Sequence, residues 1–127
     1  MSKILIVDDD KQITFFLEKL LTMEGYDVTS VNESSKTIQV ADSITPDLFI
    51  LDLMMPEPNG FELCRALRAN PNFIHTPIVI ITAMDDSDSK AIAIVAGAND
   101  YITKPFRPDE LTKRIKAVFG KPKKRQV

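Results

Sequence analysis

Five short apolar runs divide the chain, and each is followed by a longer stretch with a different periodicity. Most of the residues in these runs are β-branched. A strand this uniformly apolar has no face suited to water, so the pattern indicates strands covered on both sides, as in a parallel sheet. The predicted strands occupy residues 4–7, 28–31, 48–51, 78–81 and 101–102.

The stretches between the runs carry apolar residues at the spacing of an α-helix. In the first stretch they recur three and four residues apart and form one stripe on a helix surface. The residues of this stripe are Ile13, Phe16, Leu17, Leu20 and Leu21. The spacing therefore predicts an amphipathic helix between the first two strands.

Capping residues indicate where these helices begin and end. Asp10 suits the N-cap of the first helix, and Gly25 lies where its C-cap is expected. Ser34 or Ser35 can cap a second helix that ends near residue 44, and Pro108 suits the first turn of the last helix. The remaining helices are predicted over residues 60–69, 86–96 and 108–119.

Strands and helices alternate strictly in this prediction, in the order βαβαβαβαβα. Such alternation favours right-handed crossovers and a doubly wound parallel sheet. In sheets of this kind, ligands bind at the carboxyl ends of the strands. Polar residues directly after each strand are therefore the candidates for a functional site.

Length and composition fit one domain. The chain has 127 residues, of which 44% are hydrophobic, and its formal net charge of -2 argues against nucleic acid as the main partner of this segment. We predict a domain over residues 1–120 and a basic linker or disordered tail over 121–127. No apolar run is long enough for a membrane span, and the single cysteine, Cys64, fits a reducing cytoplasm and a core packing role.

Four strand ends supply a consistent set of chemical groups. Asp8 and Asp9 follow the first strand, Asp52 the third, Thr82 the fourth and Lys104 the fifth. Clustered carboxylates repel one another and require a cation, and hard oxygen ligands select Mg²⁺ or Mn²⁺. Asp52 can then act as an in-line nucleophile towards a phosphoryl group, giving an acyl phosphate. The metal would cover one phosphoryl oxygen, Lys104 a second, and the Thr82 hydroxyl or backbone amides a third.

Taken singly, each of these residues has a plainer interpretation as a turn, cap or solvated side chain. Their joint occurrence at separate strand ends favours the chemical interpretation. The acidic residues Asp85, Asp86 and Asp88 are interpreted only as an acidic first turn of the fourth helix, where the helix dipole favours them.

The motifs as a set resemble the receiver, or response regulator, domain of bacterial two-component systems. The resemblance covers residues 3 to about 119, in order. The matching segments are ILIVDDD at 4–10, PDLFILDLMMP at 46–56, NG at 59–60, PIVIITA at 77–83, GANDY at 97–101 and KPF at 104–106.

This resemblance implies a flavodoxin-like (βα)5 fold with a five-stranded sheet in the order 2-1-3-4-5. It implies that Asp52 is phosphorylated by a sensor histidine kinase or a phosphotransfer protein. The implied metal ligands are Asp9, Asp52 and the backbone carbonyl of Met54, with Asp8 acting through water. Lys104, before an implied cis peptide bond to Pro105, would bind the phosphoryl group. Thr82 and Tyr101 would form the switch pair, with Tyr101 turning inward on phosphorylation.

The last segment, residues 101–115, looks like that of receivers fused to winged-helix DNA-binding domains, although receivers joined to nucleotide cyclases look similar here. In the former group, dimers form through the fourth helix, fifth strand and fifth helix. Lys90, Asp100, Glu110 and Arg114 match several cross-dimer charges, whereas Asn99 stands where an acid is common. The resemblance thus implies a homodimer on phosphorylation, or contact with an output domain beyond Val127.

Two other classes are open to a doubly wound domain, an enzyme on the one hand and a pure binding module or flavin carrier on the other. A metal-dependent aspartyl-phosphate phosphohydrolase would need a second acid two residues after Asp52, where this chain has Met54. A flavin carrier would need a phosphate loop rich in Gly, Ser and Thr after the first strand, where this chain has three acids. We therefore predict a regulatory phosphoacceptor rather than an enzyme. The resemblance also implies that Met54 and Met84 flank the approach of water to the phosphoryl group, and these two apolar side chains predict its slow loss.

Overall fold

The computed structural model describes residues 1–120, in which strands and helices alternate as the sequence predicts. The basic segment 121–127, predicted as a linker or disordered tail, lies outside the described residues. The elements are β1 Lys3–Val7, α1 Lys11–Met23, β2 Asp27–Val31, α2 Thr37–Ile44, β3 Leu48–Leu51, α3 Gly60–Ala69, β4 Ile78–Thr82, α4 Ser87–Ala96, β5 Asp100–Thr103 and α5 Pro108–Gly120.

The five strands form one parallel sheet in the order β2-β1-β3-β4-β5, which confirms the predicted topology. Val7 at the end of β1 is paired with Val31 of β2 and Leu51 of β3. Because strands this closely registered end together, Asp8 and Asp52 leave the sheet side by side. The backbone N–H of Asp52 donates to the carbonyl of Val7 at 3.0 Å.

Helices cover both faces of the sheet, and alternate strand residues feed two separate cores. Leu5 and Val7 belong to a core that includes residues of α2, α3 and α4, where Phe49 and Phe73 meet edge to face at 5.4 Å. Ile4 and Ile6 belong to the opposite core, which includes residues of α1 and α5. Burial on both faces explains why the inner strands read as uniformly apolar runs.

Most predicted caps are present. The side chain of Asp10 accepts from the N–H groups of Gln12 and Ile13 at the start of α1, and Gly25 lies just beyond its end with φ +94°. Asp86 is the N-cap of α4 and not part of its first turn, since its carboxylate accepts from the Ser89 N–H at 2.9 Å.

The predicted serine cap of α2 is wrong. Residues 34–36 form a 3-10 turn, and α2 begins only at Thr37 without a side-chain cap on its N-cap residue, Lys36. The hydroxyl of Ser34 instead donates to the carbonyl of Pro56 at 2.9 Å. Because this hydroxyl is already hydrogen-bonded to a loop carbonyl, it does not serve as the cap of α2.

Two further expectations are met. The peptide bond between Lys104 and Pro105 is cis, and a second cis bond joins Glu57 to Pro58. Cys64 lies on the inner face of α3 and is fully buried in the core. Its thiol lies 3.4 Å from the carbonyl oxygen of Ala96. Across residues 1–120, none of the helices has the length and apolar character that a membrane crossing requires.

Candidate functional site

Three carboxylates converge at the carboxyl edge of the sheet. One oxygen each from Asp8, Asp9 and Asp52 lies within 4.8 Å of the others. Asp8 is 3% exposed and Asp52 is 7% exposed, whereas Asp9 is open to solvent. The sequence places Asp52 44 positions beyond Asp8, and the pairing of β1 with β3 brings them together.

Lys104 joins two of these carboxylates. Its Nζ atom lies 2.8 Å from Oδ2 of Asp8 and 3.1 Å from Oδ2 of Asp52. The backbone N–H of Lys104 donates to the carbonyl of Thr82 at 2.7 Å, which fixes the chain where it leaves β5. The strand ends of β1, β3, β4 and β5 therefore meet at one site, as the sequence predicts.

The pocket is electrostatically crowded. Burial raises the pKa of Asp8, and the negative charge of Asp52 raises it further, against the opposing effect of Lys104 and the Asp10 N–H. Burial acts to lower the pKa of Lys104, but its hydrogen bond to Asp8 and the charge of Asp52 outweigh burial and raise it. Three carboxylates and one ammonium leave two formal negative charges, which one divalent cation would neutralise.

The donor set fits Mg²⁺ or Mn²⁺, because every candidate ligand is a hard oxygen. Asp8, Asp9 and Asp52 would hold the ion. The backbone of Met54, the other predicted ligand, is beside them, since its N–H donates to Oδ1 of Asp52 at 3.2 Å. A divalent cation bound there would supply positive charge to the oxygens of an anionic ligand.

The Asp9→Asn variant is expected to lose most of the stabilisation that Mg²⁺ gives. Asp9 is exposed and has no hydrogen bond or ion pair among residues 1–120, so its removal costs the metal-free fold nothing. At a concentration about tenfold above Kd, Mg²⁺ stabilises a folded protein by about 1.4 kcal/mol. Thermal unfolding with and without MgCl2 measures the difference. Asp42→Asn, an exposed acid on α2, is the control, and an unchanged response to Mg²⁺ in Asp9→Asn would count against the metal site.

The predicted switch residues lie on the β4–β5 side of the pocket. Thr82 is fully buried at the end of β4, and the N–H of Met84 lies 3.4 Å from its hydroxyl oxygen. Tyr101 is only 9% exposed, and its hydroxyl donates to the carbonyl of Met84 at 2.5 Å. Tyr101 thus already occupies the inward position that the sequence reasoning assigned to the phosphorylated state.

The four charged residues predicted for a dimer or output face also come together. Lys90, Asp100, Glu110 and Arg114 line one groove beside Tyr101. Within a single chain, Arg114 pairs with Asp100 through distances of 2.6 and 3.0 Å. This hydrogen bond raises the pKa of Arg114. The four residues predicted for this face therefore lie together, and one pair of them, Arg114 and Asp100, is already bonded within the chain.

Sequence reasoning missed Asn32, which supports the pocket from the end of β2. Its side-chain amide donates to the backbone carbonyl of Asp8 at 2.9 Å and to the hydroxyl of Thr14 at 3.0 Å. These bonds tie the loop that carries Asp8 to α1. Asn32 directly follows a predicted strand, so the strand-end rule that located the other residues could have found it.

A doubly wound sheet with this acid and lysine pocket defines a class of signalling domain, and comparison with known proteins identifies the family. The model of the response regulator receiver domain matches residues 4–116. The chain is 44% identical over 119 residues to the response regulator ArlR of Staphylococcus saprophyticus, covering 94% of this chain and 53% of ArlR. It is 39% identical over 117 residues to the alkaline phosphatase synthesis transcriptional regulatory protein PhoP of Bacillus subtilis, covering 92% of this chain and 48% of PhoP.

A solved structure agrees with these relatives. The crystal structure of a putative response regulator from Chloroflexus aurantiacus superimposes with a TM-score of 0.90 at 36% identity, covering 94% of this chain and 98% of that one. The chain belongs to the response regulator receiver domain family, a family of regulatory signalling domains in two-component systems. It spans about half the length of the curated relatives it matches.

Proposed function

We propose that this chain is a phosphoacceptor switch in which Asp52 takes a phosphoryl group from a phosphohistidine. The observation that carries the proposal is the convergence of Asp8, Asp9 and Asp52 around one point, with Lys104 bonded to two of them. The donor would be a sensor histidine kinase or a phosphotransfer protein. The site has a nucleophile and charge compensation, which are the main requirements of phosphoryl transfer.

The transfer exchanges one bond for another. A carboxylate oxygen of Asp52 forms a bond to phosphorus while the bond from phosphorus to the imidazole nitrogen of the donor breaks, and that nitrogen keeps the electron pair. Asp8 and Asp9 would hold the cation, which would supply positive charge to the phosphoryl oxygens. Lys104 moves its hydrogen bonds from carboxylate to phosphoryl oxygen, and the Thr82 hydroxyl can donate to another.

Acetyl phosphate tests this function without knowledge of the kinase. Incubation with MgCl2 should add the mass of one phosphoryl group per chain, and peptide mass spectrometry after borohydride reduction should locate it at Asp52. Replacement of MgCl2 by EDTA should prevent the gain. Modification that is equally fast in EDTA, or that maps to another residue, would refute the proposal.

The phosphoryl group would act on the output face through Thr82 and Tyr101. Both arrangements of such a pair pre-exist, and phosphorylation changes their populations. The inward Tyr101 of this structure is the arrangement that we expect phosphorylation to favour. Lys90, Asp100, Glu110 and Arg114 would then pair two chains or contact an output domain, because the PhoP and ArlR relatives are transcriptional and response regulators about twice as long.

The Lys104→Ala variant is expected to accept phosphate but to lose this coupling. Lys104 is the cation that touches both Asp8 and Asp52, and a charge-assisted bond from it to the phosphoryl group would be worth roughly 1.5–3 kcal/mol. Phosphate-induced NMR shifts at Tyr101 and along α4 and α5 should fall by more than half. Lys116→Ala, an exposed lysine on α5, is the control. Phosphate-induced shifts of wild-type size in Lys104→Ala would show that the coupling between Asp52 and this face does not depend on Lys104.

The lifetime of the phosphoryl group depends on what flanks Asp52. Met54 is 62% exposed and Met84 half-buried, and both line a groove of about 430 Å³ that begins one residue after Asp52. A thioether is only a weak acceptor and cannot orient an attacking water. We therefore propose slow self-dephosphorylation, suited to a transcriptional or developmental response.

Replacing both methionines, as Met54→Asn with Met84→Glu, should speed the loss of phosphate. The introduced carboxylate can act as a general base towards the water, and the introduced amide can orient it. We therefore expect acceleration of at least about tenfold, below the roughly 10²–10⁴-fold that a well-placed base supplies. Release of phosphate from the purified phosphoprotein measures the rate. Met23→Asn, an exposed methionine on α1, controls for a polar substitution elsewhere. If the double variant decays at the parental rate, the two methionines only pack.

A further inference from the structure

The second half of α4 is apolar on every side. Residues 91–96 are six consecutive apolar residues, AIAIVA. Only Ala93 and Ala96 are buried, whereas Ile92 is 49% exposed, Ile94 53% and Val95 89%. A helix that is hydrophobic all round is normally covered all round. In a single chain, the apolar side chains of Ile92, Ile94 and Val95 therefore remain exposed to solvent.

The exposed residues of α4 lie on two different flanks. Ile94 lines the groove with Lys90 and Arg114, on the output face described above. Ile92 and Val95 line another groove, about 560 Å³ in volume, between α3 and α4. This second groove, which we call the α3–α4 groove, is also lined by Arg65, Arg68, Ala69, Ala91 and Ala96.

The α3–α4 groove carries positive charge without a counter-ion. Arg65 is exposed and forms no hydrogen bond or ion pair with any described residue. Arg68 uses its donors on neutral oxygens, with distances between 2.7 and 3.1 Å. These acceptors are the carbonyls of Phe73, Thr76 and Gly97 and the side chain of Asn99. A partner that brings a carboxylate to this groove would therefore meet uncompensated charge.

The same helix carries such a carboxylate. Asp88, Ala91, Ile92 and Val95 are spaced i, i+3, i+4 and i+7 and form one exposed stripe on α4. Asp88 has no hydrogen bond or ion pair among residues 1–120. The stripe is acidic at its amino end and apolar beyond, and it borders the groove that holds Arg65. The surface is thus complementary to itself.

We propose that the α3–α4 groove and the α4 stripe form a homodimer interface with the same surface of a second copy. An interface of this isologous type is related by a twofold axis. Cys64 contacts Ala96, so Arg65 lies at the level of the last turn of α4. Antiparallel packing of two α4 helices about an axis near Ile92 would bring Asp88 of each copy to the level of Val95 of the other, beside Arg65.

The size of this interface sets its strength. Apolar cover comes chiefly from Ile92 and Val95 of each copy, which is small beside the roughly 1,200–2,000 Å² that stable complexes bury. The dimer should therefore be weak, with a dissociation constant of roughly 0.1–1 mM. None of its residues belongs to the pocket at Asp52, so it should form without phosphorylation and equally in Asp52→Asn.

Sedimentation equilibrium of the unphosphorylated full chain tests the proposal. Between about 10 µM and 1 mM, the average mass should rise from that of one chain towards that of two. Val95→Glu should remain monomeric throughout, and the 89% exposure of Val95 means that its fold is not at risk. A wild-type chain that stays monomeric, or a Val95→Glu variant that associates equally well, would overturn the proposal and leave the groove to a different protein.

A charge exchange tests the pairing itself. Asp88→Arg and Arg65→Asp should each weaken association roughly fivefold, since each removes two exposed ion pairs from a twofold dimer. The double variant restores both pairs with reversed polarity and should return to within about twofold of wild type. Asp42→Arg, at an exposed position of α2, should have no effect. A double variant that associates more weakly than either single variant would rule out this pairing.

Discussion

The Asp52→Asn variant is expected to gain no phosphoryl group from acetyl phosphate or from a kinase. An amide oxygen is a far poorer nucleophile than a carboxylate oxygen, and the amide also removes one negative charge from the cluster of three carboxylates. Intact mass spectrometry in MgCl2 should show the unmodified mass at all times. Asp85→Asn, an exposed acid in the β4–α4 loop, should be phosphorylated like the wild type.

This loss can be separated from misfolding. Asp52 is 7% exposed, and its charge raises the pKa of Asp8, so the amide relieves repulsion in the metal-free pocket. The amide oxygen can still accept from the Met54 N–H, and Lys104 keeps its contact with Asp8. The midpoint of thermal unfolding without Mg²⁺ should therefore be no lower than that of the wild type. Phosphorylation of Asp52→Asn to the wild-type extent would mean that another residue is the acceptor.

The sequence could predict this site because parallel strands turn distant residues into neighbours by a fixed rule. Lys104 and Asp8 are 96 positions apart, yet each follows a strand of the same sheet. The inner strands were visible because burial on both faces leaves few polar positions. In β4 all five residues are buried, and the four before Thr82 are apolar. The two edge strands show this signature less clearly, since β2 has one buried residue of five and β5 has two of four.

Contacts between loops could not be predicted from the sequence. Arg68 bonds the carbonyls of Phe73, Thr76 and Gly97, and these come from two separate connections whose shapes follow no periodicity. The serine cap was wrong for a related reason. Ser34 has the local chemistry of a cap, but the carbonyl of Pro56, 22 positions away, competes for its hydroxyl. Local patterns locate elements, whereas tertiary partners decide what a polar side chain does.

The surface of α4 shows why family membership does not by itself fix the partners of this chain. The pocket residues follow from the fold and its motifs, but Ile92, Ile94 and Val95 are not needed for the buried face of α4, which Ser89, Ala93 and Ala96 provide. Exposed apolar residues of this size cost solubility unless something covers them. We therefore expect the two exposed flanks of α4 to determine which partners this chain binds.

The Gly60→Ala variant is expected to disrupt both the fold and the pocket. Gly60 is the first residue of α3, and a methyl group built on it would lie 2.1 Å from the backbone oxygen of Asp52 and 2.7 Å from Cα of Leu53. These are backbone atoms at the end of β3, so they cannot rotate away as a side chain would. Relief requires α3 to move away from the end of β3 and from Asp52, the proposed nucleophile. Overpacking of a core typically lowers the free energy of unfolding by about 1–3 kcal/mol, and occasionally by more. Because the backbone atoms here cannot move aside, we expect a loss at or above the upper end of that range.

Chemical denaturation and phosphorylation measure the two effects together. Gly60→Ala should unfold at lower denaturant, and the fraction that remains folded should accept phosphate more slowly because Asp52 is displaced from Asp8 and Lys104. Gly120→Ala is the matched control, since a methyl group there meets nothing within 4 Å. Equal stability of the two alanine variants would show that α3 can shift freely, and the close approach of Gly60 would then have no part in placing Asp52.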